Sequence, residues 1–365
     1  MRKDICLPAE WEPQSLVMLT WPHQATDWEP MLKDIEETYT QMAEAITRYE
    51  PVVIATPHPV KVGAMLGYRL TKEQMARVYI CHCKTNDTWA RDHGPITLKE
   101  RTAGEDSKGR LTMLDFRFNG WGEKFEAELD NRITRTLHED GAFDTEENGR
   151  PRLVDNDDFV LEGGAIESDG RGTVFTTEFC LMAPNRNQPL ERQEIEQELM
   201  YRLKARRIVW LRHGSLIGDD TDGHIDTTVR IAPGDTLLYN KCYDSGDEQY
   251  GDFAELEREL EALRTEDGRP YRLIPLPQPR PIYDDGKTLT EQPGEGAERL
   301  PATYANFLII NGAVIVPTYG QPDNDAKACE AIAAAFPDRD IVPIDSRTII
   351  RQHGSIHCCT MQVPR

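Results

Sequence analysis

A helix followed closely by a short apolar run recurs five times in this chain of 365 residues, and the repetition limits the folds open to it. Helical patterns are predicted over 30–49, 123–137, 188–206, 253–263 and 325–336. Short runs typical of strands follow each helix, at 52–54, 153–154, 208–210, 273–274 and 341–342. This order predicts an α/β fold of repeated units, each with one helix and several strands. A mixed α/β sheet without repeats remains the alternative.

Further strand-like runs fill the gaps between the helices, among them 159–166, and no segment has the composition of a linker. The sequence therefore predicts a single domain over residues 1–365. Polar insertions at 102–110, 139–152, 265–270 and 277–301 are predicted to be surface loops. The last is rich in Pro, Gly and acidic residues, and is predicted to be either a flexible excursion or a lid beside a site.

The net charge of −21 argues against nucleic acid and anionic membrane surfaces as partners. No apolar run approaches the roughly 20 residues of a membrane span, and residues 1–8 contain no apolar signal core. The eight cysteines are scattered and form no disulfide framework, which favours a reducing cytoplasm. The sequence leaves a homo-oligomer open.

The segment 354–361 (GSIHCCTM) places a turn of small residues directly before a thiol. It has the composition of a buried strand, on which neighbouring side chains point to opposite faces, so only one of Cys358 and Cys359 can face a site. A free thiol has a pKa near ~8.5, and a nearby cation, which the substrate itself can supply, increases its thiolate fraction. Cys358 is the predicted nucleophile. A buried, inert cysteine is the alternative.

A second candidate segment holds His224 and Asp226 after Gly223. On an extended segment these two side chains share a face, which would join an acid/base imidazole to a carboxylate. The preceding segment 219–222 adds three more carboxylates, including Asp220. A solvated loop, a metal site and a cation-binding rim all remain open for it.

Two further segments carry acidic side chains in apolar or glycine-rich settings. Asp92 lies in 86–95 (NDTWARDHGP), where Trp89 offers a flat wall for an alkyl chain or planar cation, or simply packs in the core. Glu162 lies inside the predicted strand 159–166, where burial is costly without a partner. A thiol, an imidazole and three carboxylates together suit a guanidinium, because carboxylates pair with its planar fork and leave its carbon open to a thiolate.

With these motifs the chain resembles the agmatine deiminases, which are grouped with the Porphyromonas-type peptidylarginine deiminases in the guanidino-group modifying superfamily. The similar segments are 7–13 (LPAEWEP), 20–22 (TWP), 86–95, 161–164 (LEGG), 222–226 (DGHID), 300–307 (LPATYANF), 316–319 (VPTY) and 354–358 (GSIHC). The sequence differs from the family pattern at 353–355 and at Met361, beside the predicted nucleophile.

The resemblance implies a pentein fold, a five-bladed α/β propeller of pseudo-repeated ββαβ units. It implies that Cys358 is the nucleophile, His224 the general acid/base, and Asp92 and Asp226 the guanidinium-binding carboxylates. Glu162 matches the acidic residue that pairs with the substrate and His224. It implies no metal and no organic cofactor.

The activity implied is hydrolysis of agmatine to N-carbamoylputrescine and ammonia through an amidino-cysteine intermediate, a step of putrescine and polyamine metabolism. Asp220, and after it Asp87, are predicted to meet the ammonium end, with Trp89 as a wall. The alternatives are deimination of peptidyl-arginine, free arginine or another guanidino compound, amidino transfer, a metal-dependent hydrolase, and a binding protein without turnover. Neither Cys81-His82-Cys83 nor His357-Cys358-Cys359 has a usual zinc spacing.

Overall fold

A computed structural model of the chain describes residues 4–101, 110–145, 149–286, 289–290, 292 and 294–365. Its strands are β1 Asp4–Cys6, β2 Gln14–Thr20, β3 Val52–Thr56, β4 Val78–His82, β5 Ile96–Arg101, β6 Leu111–Arg117, β7 Arg152–Val160, β8 Ile166–Ser168, β9 Thr173–Thr177, β10 Arg207–Leu211, β11 Val229–Ala232, β12 Thr236–Lys241, β13 Arg272–Pro277, β14 Tyr283–Asp284, β15 Leu289–Thr290, β16 Glu298–Arg299, β17 Leu308–Ile310, β18 Ala313–Thr318, β19 Asp340–Asp345 and β20 Thr360–Pro364. Its helices are α1 Leu32–Thr47, α2 Pro59–Arg69, α3 Lys72–Met75, α4 Ala90–His93, α5 Gly120–Glu123, α6 Ile133–Glu139, α7 Glu178–Leu181, α8 Arg192–Leu203, α9 Tyr250–Ala262 and α10 Pro322–Ala335, with short 3-10 turns at Glu29–Met31, Asp130–Arg132, Gly163–Ala165, Ile225–Thr227 and Ile349–Gln352.

The sheets repeat one pattern. In β8-β9-β10, β11-β12-β13 and β17-β18-β19, the middle strand pairs antiparallel with the strand before it and parallel with the strand after it. A long helix, α8, α9 or α10, lies in the chain between the two parallel strands. The set β5-β6-β7 with α6 follows the same order, with β1 added at its edge. These four are the ββαβ units that the family resemblance implies, and they agree with the repeat of one helix and several strands that the helix spacing predicts.

The fifth unit is assembled from both ends of the sequence. Strand β2 pairs parallel with β3 across α1, but its antiparallel partner is β20, from Thr360–Pro364. Helices α2 and α3 and the parallel strand β4 extend this sheet. The strand after the predicted nucleophile therefore completes the sheet that begins the fold.

The core lies between each helix and its sheet, because the apolar residues recur at helical spacing. Helix α9 buries Phe253, Leu256 and Leu260, and α8 buries Ile195, Leu199 and Leu203. The middle strands β9 and β18 are buried along nearly their whole length. At about 25 cal/mol per Å² of apolar area, such faces fix where each helix lies on its sheet.

The predicted helix over 123–137 is wrong for most of its length, since α6 covers only Ile133–Glu139. The backbone is left-handed at Gly120, Trp121, Gly122 and Glu123, which ends any helix there. Buried Asp130 accepts hydrogen bonds from the backbone N–H groups of Asn86, at 2.7 Å, and of its neighbour in the sequence, at 3.0 Å. The segment thus holds the loop that leads to Asp92. The other four predicted helices are confirmed within a few residues, and α2 was not predicted.

Insertion 102–110 lies outside the described residues except for Arg110, and part of 139–152 does too. The described part of 277–301 contains β14, β15 and β16, which form a small sheet. Ion pairs of Arg299 with Asp247 at 2.8 Å and of Arg351 with Asp284 at 2.7 Å connect it to the body. Within the described ranges, no helix has both the length and the apolar character needed to cross a bilayer. The single domain and the choice between excursion and lid stay predictions.

Candidate active site

The predicted site residues occupy equivalent places in the repeat, each in the turn just before the first strand of a unit. Asp92 lies in α4 before β5, and Glu162 comes just before the 3-10 turn that leads into β8. His224 and Asp226 precede β11, and Cys358 precedes β20. The remaining unit places buried Asn306 before β17. The repeat therefore explains why residues far apart in sequence can meet.

Three local expectations about these residues are wrong. Cys358 lies in a turn and not in a strand, because β20 begins at Thr360. His224 and Asp226 are not on an extended segment, since Ile225–Thr227 is a 3-10 turn. The predicted strand 159–166 breaks at Glu162, where β7 has ended and a glycine turn begins. Turns suit these positions because a bend directs several short side chains to one point, whereas a strand alternates them.

Three of the central side chains, those of His224, Asp92 and Asp226, converge on Gly164, and Cys358 lies beside Asp226. A methyl group placed on Gly164 would lie 2.6 Å from Nδ1 of His224, 3.0 Å from Oδ1 of Asp92 and 3.1 Å from Oδ2 of Asp226. Nδ1 of His224 is 3.6 Å from Oδ1 of Asp92, and Sγ of Cys358 is 3.8 Å from Oδ2 of Asp226. All four residues are at most 4% exposed. The structure thus brings the thiol, the imidazole and two carboxylates together in a buried space.

Asp92 is held by two donors. The indole N–H of Trp121 donates to its Oδ2 at 2.9 Å, and the backbone N–H of Gly164 donates to its Oδ1 at 3.0 Å. Burial nevertheless raises the pKa of Asp92 to about 6, because the charged form loses water. Asp92 is therefore largely ionised at neutral pH, at a cost that a cation in the site would offset.

Asp226 has the opposite shift. Burial would raise its pKa, but the hydrogen bond from Nδ1 of His357 at 2.7 Å and the charge of that ring lower it. Within the part of the chain that the structure describes, its other oxygen, Oδ1, has no hydrogen-bond partner. Asp226 thus offers an ionised carboxylate with one buried acceptor unused.

His224 lies among anions and potential anions. Burial alone would lower its pKa, but Asp92, Cys180 and Glu162 raise it well above the ordinary value. A ring nitrogen of His224, Sγ of Cys180 and an oxygen of Glu162 lie within 4.8 Å of one another. In the free protein the imidazole is therefore protonated and can act as an acid.

For Cys358, in contrast to His224, the surroundings favour the uncharged form. Burial raises its pKa well above the ordinary value, and the charges of Asp226 and Asp92 add to this. In the free protein the sulfur is therefore mainly a thiol. A cation bound beside it would counter both carboxylates, which is how a positively charged substrate would activate its own nucleophile.

The acidic segment 219–222 divides into three roles. Asp222 forms ion pairs with Arg186 and Lys124, both at 2.7 Å, and Asp219 accepts a hydrogen bond from the backbone N–H of Gly223 at 2.7 Å. Arg186 in turn pairs with Glu162 at 2.8 Å. Only Asp220 of the three carboxylates lines the pocket, and burial raises its pKa to about 6. The segment is thus mostly structural.

A pocket leads to Cys358. It has a volume of about 390 Å³ and is lined by Asp27, Asp87, Trp89, Asp92, Trp121, Phe125, Asp220, Thr221, Gln352, His353, Gly354 and Cys358. Its walls are aromatic and its charged groups are carboxylates, a combination that suits a small cation with an apolar chain. Trp89 is fixed by a hydrogen bond to Asp87 at 2.9 Å. A methyl group on Gly354 would lie 2.1 Å from Trp89, so only glycine fits this turn.

The sequence predictions missed several of these residues. Trp121 holds Asp92, and Arg186 balances Glu162, yet neither belongs to a segment that was singled out. The glycines on both sides of Trp121 were a signal for a tight turn that presents an indole. Asp27, Phe125 and His353, which line the pocket, had no comparable local signal.

Two groups of side chains have the composition of metal ligands. One is Glu162, Cys180 and His224, and the other is Glu10, Glu167 and His357. Each already has a guanidinium partner, Arg186 in the first and Arg230 in the second. A cation of the chain itself thus occupies the place where a metal would add positive charge.

A family model described as Porphyromonas-type peptidyl-arginine deiminase matches residues 6–364. The chain therefore belongs to this deiminase family. Its fold is the pentein fold, as the sequence predicted, while the five-bladed arrangement of the units stays a prediction.

Individual relatives cover nearly the full length. The agmatine deiminase of Pseudomonas aeruginosa (strain LESB58) is 35% identical over 98% of this chain and 95% of its own. A structure described as the putative arginine deiminase of Porphyromonas gingivalis is 46% identical, covers 99% of both chains and has a TM-score of 0.87. A C. jejuni agmatine deiminase variant with substrate bound is 33% identical, covers 100% of this chain and 97% of its own, and has a TM-score of 0.84.

Proposed function

We propose that this protein is an agmatine deiminase, a hydrolase of C–N bonds in linear amidines that yields N-carbamoylputrescine and ammonia. The observation that carries this proposal is that His224, Asp92 and Asp226 surround Gly164, with the thiol of Cys358 beside Asp226 at the end of an acidic, aromatic pocket. Relatives named agmatine deiminase support the substrate.

Asp92 and Asp226 bind the guanidinium in this proposal. Oδ1 of Asp226 is a buried acceptor without a partner among the described residues, and a guanidinium N–H would satisfy it. Asp92 would supply the second carboxylate and recover the cost of its own burial. Pairing on two sides fixes both the position and the plane of the substrate, so that its central carbon faces sulfur.

The reaction then proceeds in two halves. The bound cation lowers the thiol pKa, the proton leaves to solvent, and the Cys358 thiolate forms a bond to the guanidinium carbon. Protonated His224 gives its proton to the departing nitrogen, and ammonia leaves from the tetrahedral carbon. Neutral His224 next takes a proton from water, the resulting hydroxide attacks the same carbon, and the C–S bond breaks to release the ureido product. Asp92 and, to a smaller extent, Glu162 keep His224 charged at the start.

Asp220 is proposed to bind the ammonium end of agmatine. Asp220 and the predicted second choice, Asp87, both line the pocket. Asp87, however, already accepts hydrogen bonds from Trp28 at 3.0 Å and from Trp89 at 2.9 Å. We expect Asp220→Asn to raise KM for agmatine by about tenfold, because one charge pair is lost at a partly exposed site. Butylguanidine, which lacks the amine, serves as the control, and its KM should not change. An equal effect on both substrates would contradict the assignment.

The substrate is tested by measuring ammonia release with agmatine, free arginine and an arginyl peptide. We expect agmatine to have the highest kcat/KM. Among the described residues that line the pocket, none is Lys or Arg, whereas four are Asp, so the lining offers the α-carboxylate of arginine no permanent cation and repels it. Faster turnover of the peptide would favour the alternative peptidyl-arginine deiminase. A new guanidino product on addition of glycine or ornithine would show amidino transfer instead.

The pH dependence of kcat/KM follows from Asp92. A protonated Asp92 cannot bind a cation, and kcat/KM reports the free enzyme, where the pKa of Asp92 is about 6. We therefore expect kcat/KM for agmatine to fall at least about tenfold per pH unit below pH ~6, because Asp220, with a pKa of about 6, loses its charge in the same range. Rates measured from pH 4.5 to 8 test this. An acid limb near pH 4, the ordinary range of aspartate, would show that burial does not control this carboxylate.

We further propose that the protein acts in the cytoplasm on a small guanidino substrate, without nucleic acid or membrane partners and without a cofactor. The cysteines of the described part of the chain form no disulfide bond with one another, which suits a reducing compartment, and the net charge of −21 opposes binding to polyanions. Size measurement in solution would decide whether chains form a homo-oligomer.

A further inference from the structure

His357, the residue before the nucleophile, lies between two carboxylates. Its Nδ1 is 2.7 Å from Oδ2 of Asp226, and its Nε2 is 2.8 Å from Oε1 of Glu10. The ring is fully buried and does not line the pocket that leads to Cys358. It therefore connects the site to the segment before β2 without contacting the space where a substrate would bind.

Both partners of this ring are ionised carboxylates. Burial would raise the pKa of Glu10, but His357, Arg91 and Arg230 lower it well below the ordinary value. The pKa of Asp226 is lowered as well, so both carboxylates are ionised and can only accept hydrogen bonds. A hydrogen bond between the ring and either carboxylate therefore has the ring as its donor.

Other charged groups surround the pair. Nη2 of Arg230 is 2.6 Å from Oε2 of Glu10, and Nη1 of Arg91 is 2.9 Å from Oε1. Glu167 pairs with Arg230 at 2.5 Å. Asp226, the second partner of His357, lies near His224 and the thiol of Cys358, and the charge of Arg230 also acts on it. Two arginines therefore fix Glu10 in place, and Glu10 in turn fixes the His357 ring.

We propose that His357 is a positioning residue that keeps Asp226 ionised and turns its Oδ1 toward the substrate; this inference rests on the proposed function. The Nδ1–H of His357 donates to Oδ2 of Asp226, so Oδ1 remains the acceptor that a substrate can use. This N–H group also offsets part of the negative charge 3.8 Å from the sulfur. Without it, Asp226 would take up a proton more readily and could rotate.

Two substitutions of matched chemistry separate this role from simple packing. In His357→Asn the amide nitrogen reaches the place of Nδ1 and can still donate to Asp226. In His357→Gln the longer chain brings the amide to the place of Nε2, toward Glu10, and leaves Asp226 without its donor. Both variants lose the buried imidazole ring, so a defect in packing would affect them alike.

We expect His357→Gln to lower kcat/KM for agmatine about 100-fold at pH 7 and to make its acid limb steeper, because Asp226 then takes up a proton in the range where Asp92 does. His357→Asn should keep the acid limb closer to that of the parent and lose at most about tenfold. Equal acid limbs and equal losses in the two variants would overturn the proposal. Circular dichroism confirms that both are folded.

A second measurement needs neither turnover nor a variant that folds well. In parent protein with ¹⁵N-labelled histidine, we expect the Nδ1 nitrogen of His357 to carry a proton that is hydrogen-bonded to Asp226. A His357 ring without a proton on Nδ1 would overturn the proposal. If the parent fails to deiminate agmatine but shows this Nδ1–H group, the proposed function fails while the hydrogen bond to Asp226 stands.

Discussion

Cys358→Ser is expected to lose turnover of agmatine almost completely, with kcat reduced on the order of 10⁴-fold or more. A hydroxyl at this place has no means of ionising between Asp226 and Asp92, since its acidity is far weaker than that of a thiol. The two carboxylates that are proposed to bind the guanidinium are unchanged, so agmatine should still bind. Steady-state kinetics and calorimetric binding measure the two effects separately.

The adjacent cysteine provides a matched control. Cys359 is fully buried in the core with Tyr39, away from the pocket, and burial raises its pKa to about 12. Cys359→Ser should cost some stability but leave kcat within a few-fold of the parent. Mass spectrometry of parent protein quenched during turnover should find an amidino adduct on the peptide with Cys358. An adduct elsewhere, or turnover by Cys358→Ser, would remove the proposed mechanism.

Gly164→Ala should lower kcat/KM for agmatine about 100-fold or more, although it adds only one methyl group. That methyl would lie 2.6 Å from Nδ1 of His224, which is nearer than carbon can approach without displacement. It would also lie 3.0 Å from Oδ1 of Asp92 and 3.1 Å from Oδ2 of Asp226, and both contacts are tight. Moving a catalytic group by about 1 Å can cost a factor of ~100. Kinetics with agmatine, together with thermal unfolding, test this.

Gly67→Ala is the control for that substitution. Gly67 lies in α2, and a methyl group there would meet no atom within 4 Å. In a helix interior alanine is more favourable than glycine by roughly 0.5–1 kcal/mol, so this variant should be as stable as the parent or more so, with unchanged kinetics. If Gly164→Ala retained the parental kcat/KM, the side chains of His224, Asp92 and Asp226 would not lie as close to residue 164 as described.

Much of the fold could be predicted because its signals are local. The apolar spacing in α9 appears within a dozen residues, and the prediction over 253–263 agrees with Tyr250–Ala262. The helix predicted over 123–137 failed because Asp130 bonds to backbone groups some forty residues earlier, and Gly120 and Gly122 adopt left-handed turns. Local periodicity does not contain such long-range demands.

The candidate site shows the same division. Motif resemblance supplied Cys358, His224, Asp92 and Asp226, and the structure places them within reach of one another. The motif resemblance could not supply the partner residues that determine the charges of these side chains. The bond from Trp121 to Asp92 and the bridge from Asp226 through His357 to Glu10 join residues separated by up to 347 positions. Such pairs become visible only when the turns before the strands are assembled.

The pairing of β20 with β2 has a consequence for how the chain acquires its shape. Ser15 and Pro364 are hydrogen-bonded although 349 positions separate them, so a nascent chain cannot finish its first sheet until almost all of these residues have left the ribosome. During that time the edge of β2 is open, and contacts of such high order form slowly. Strand β20 and the turn before it therefore complete this sheet and also supply the sulfur of Cys358, so a polypeptide interrupted before that turn would lack this thiol and would leave β2 without its antiparallel partner.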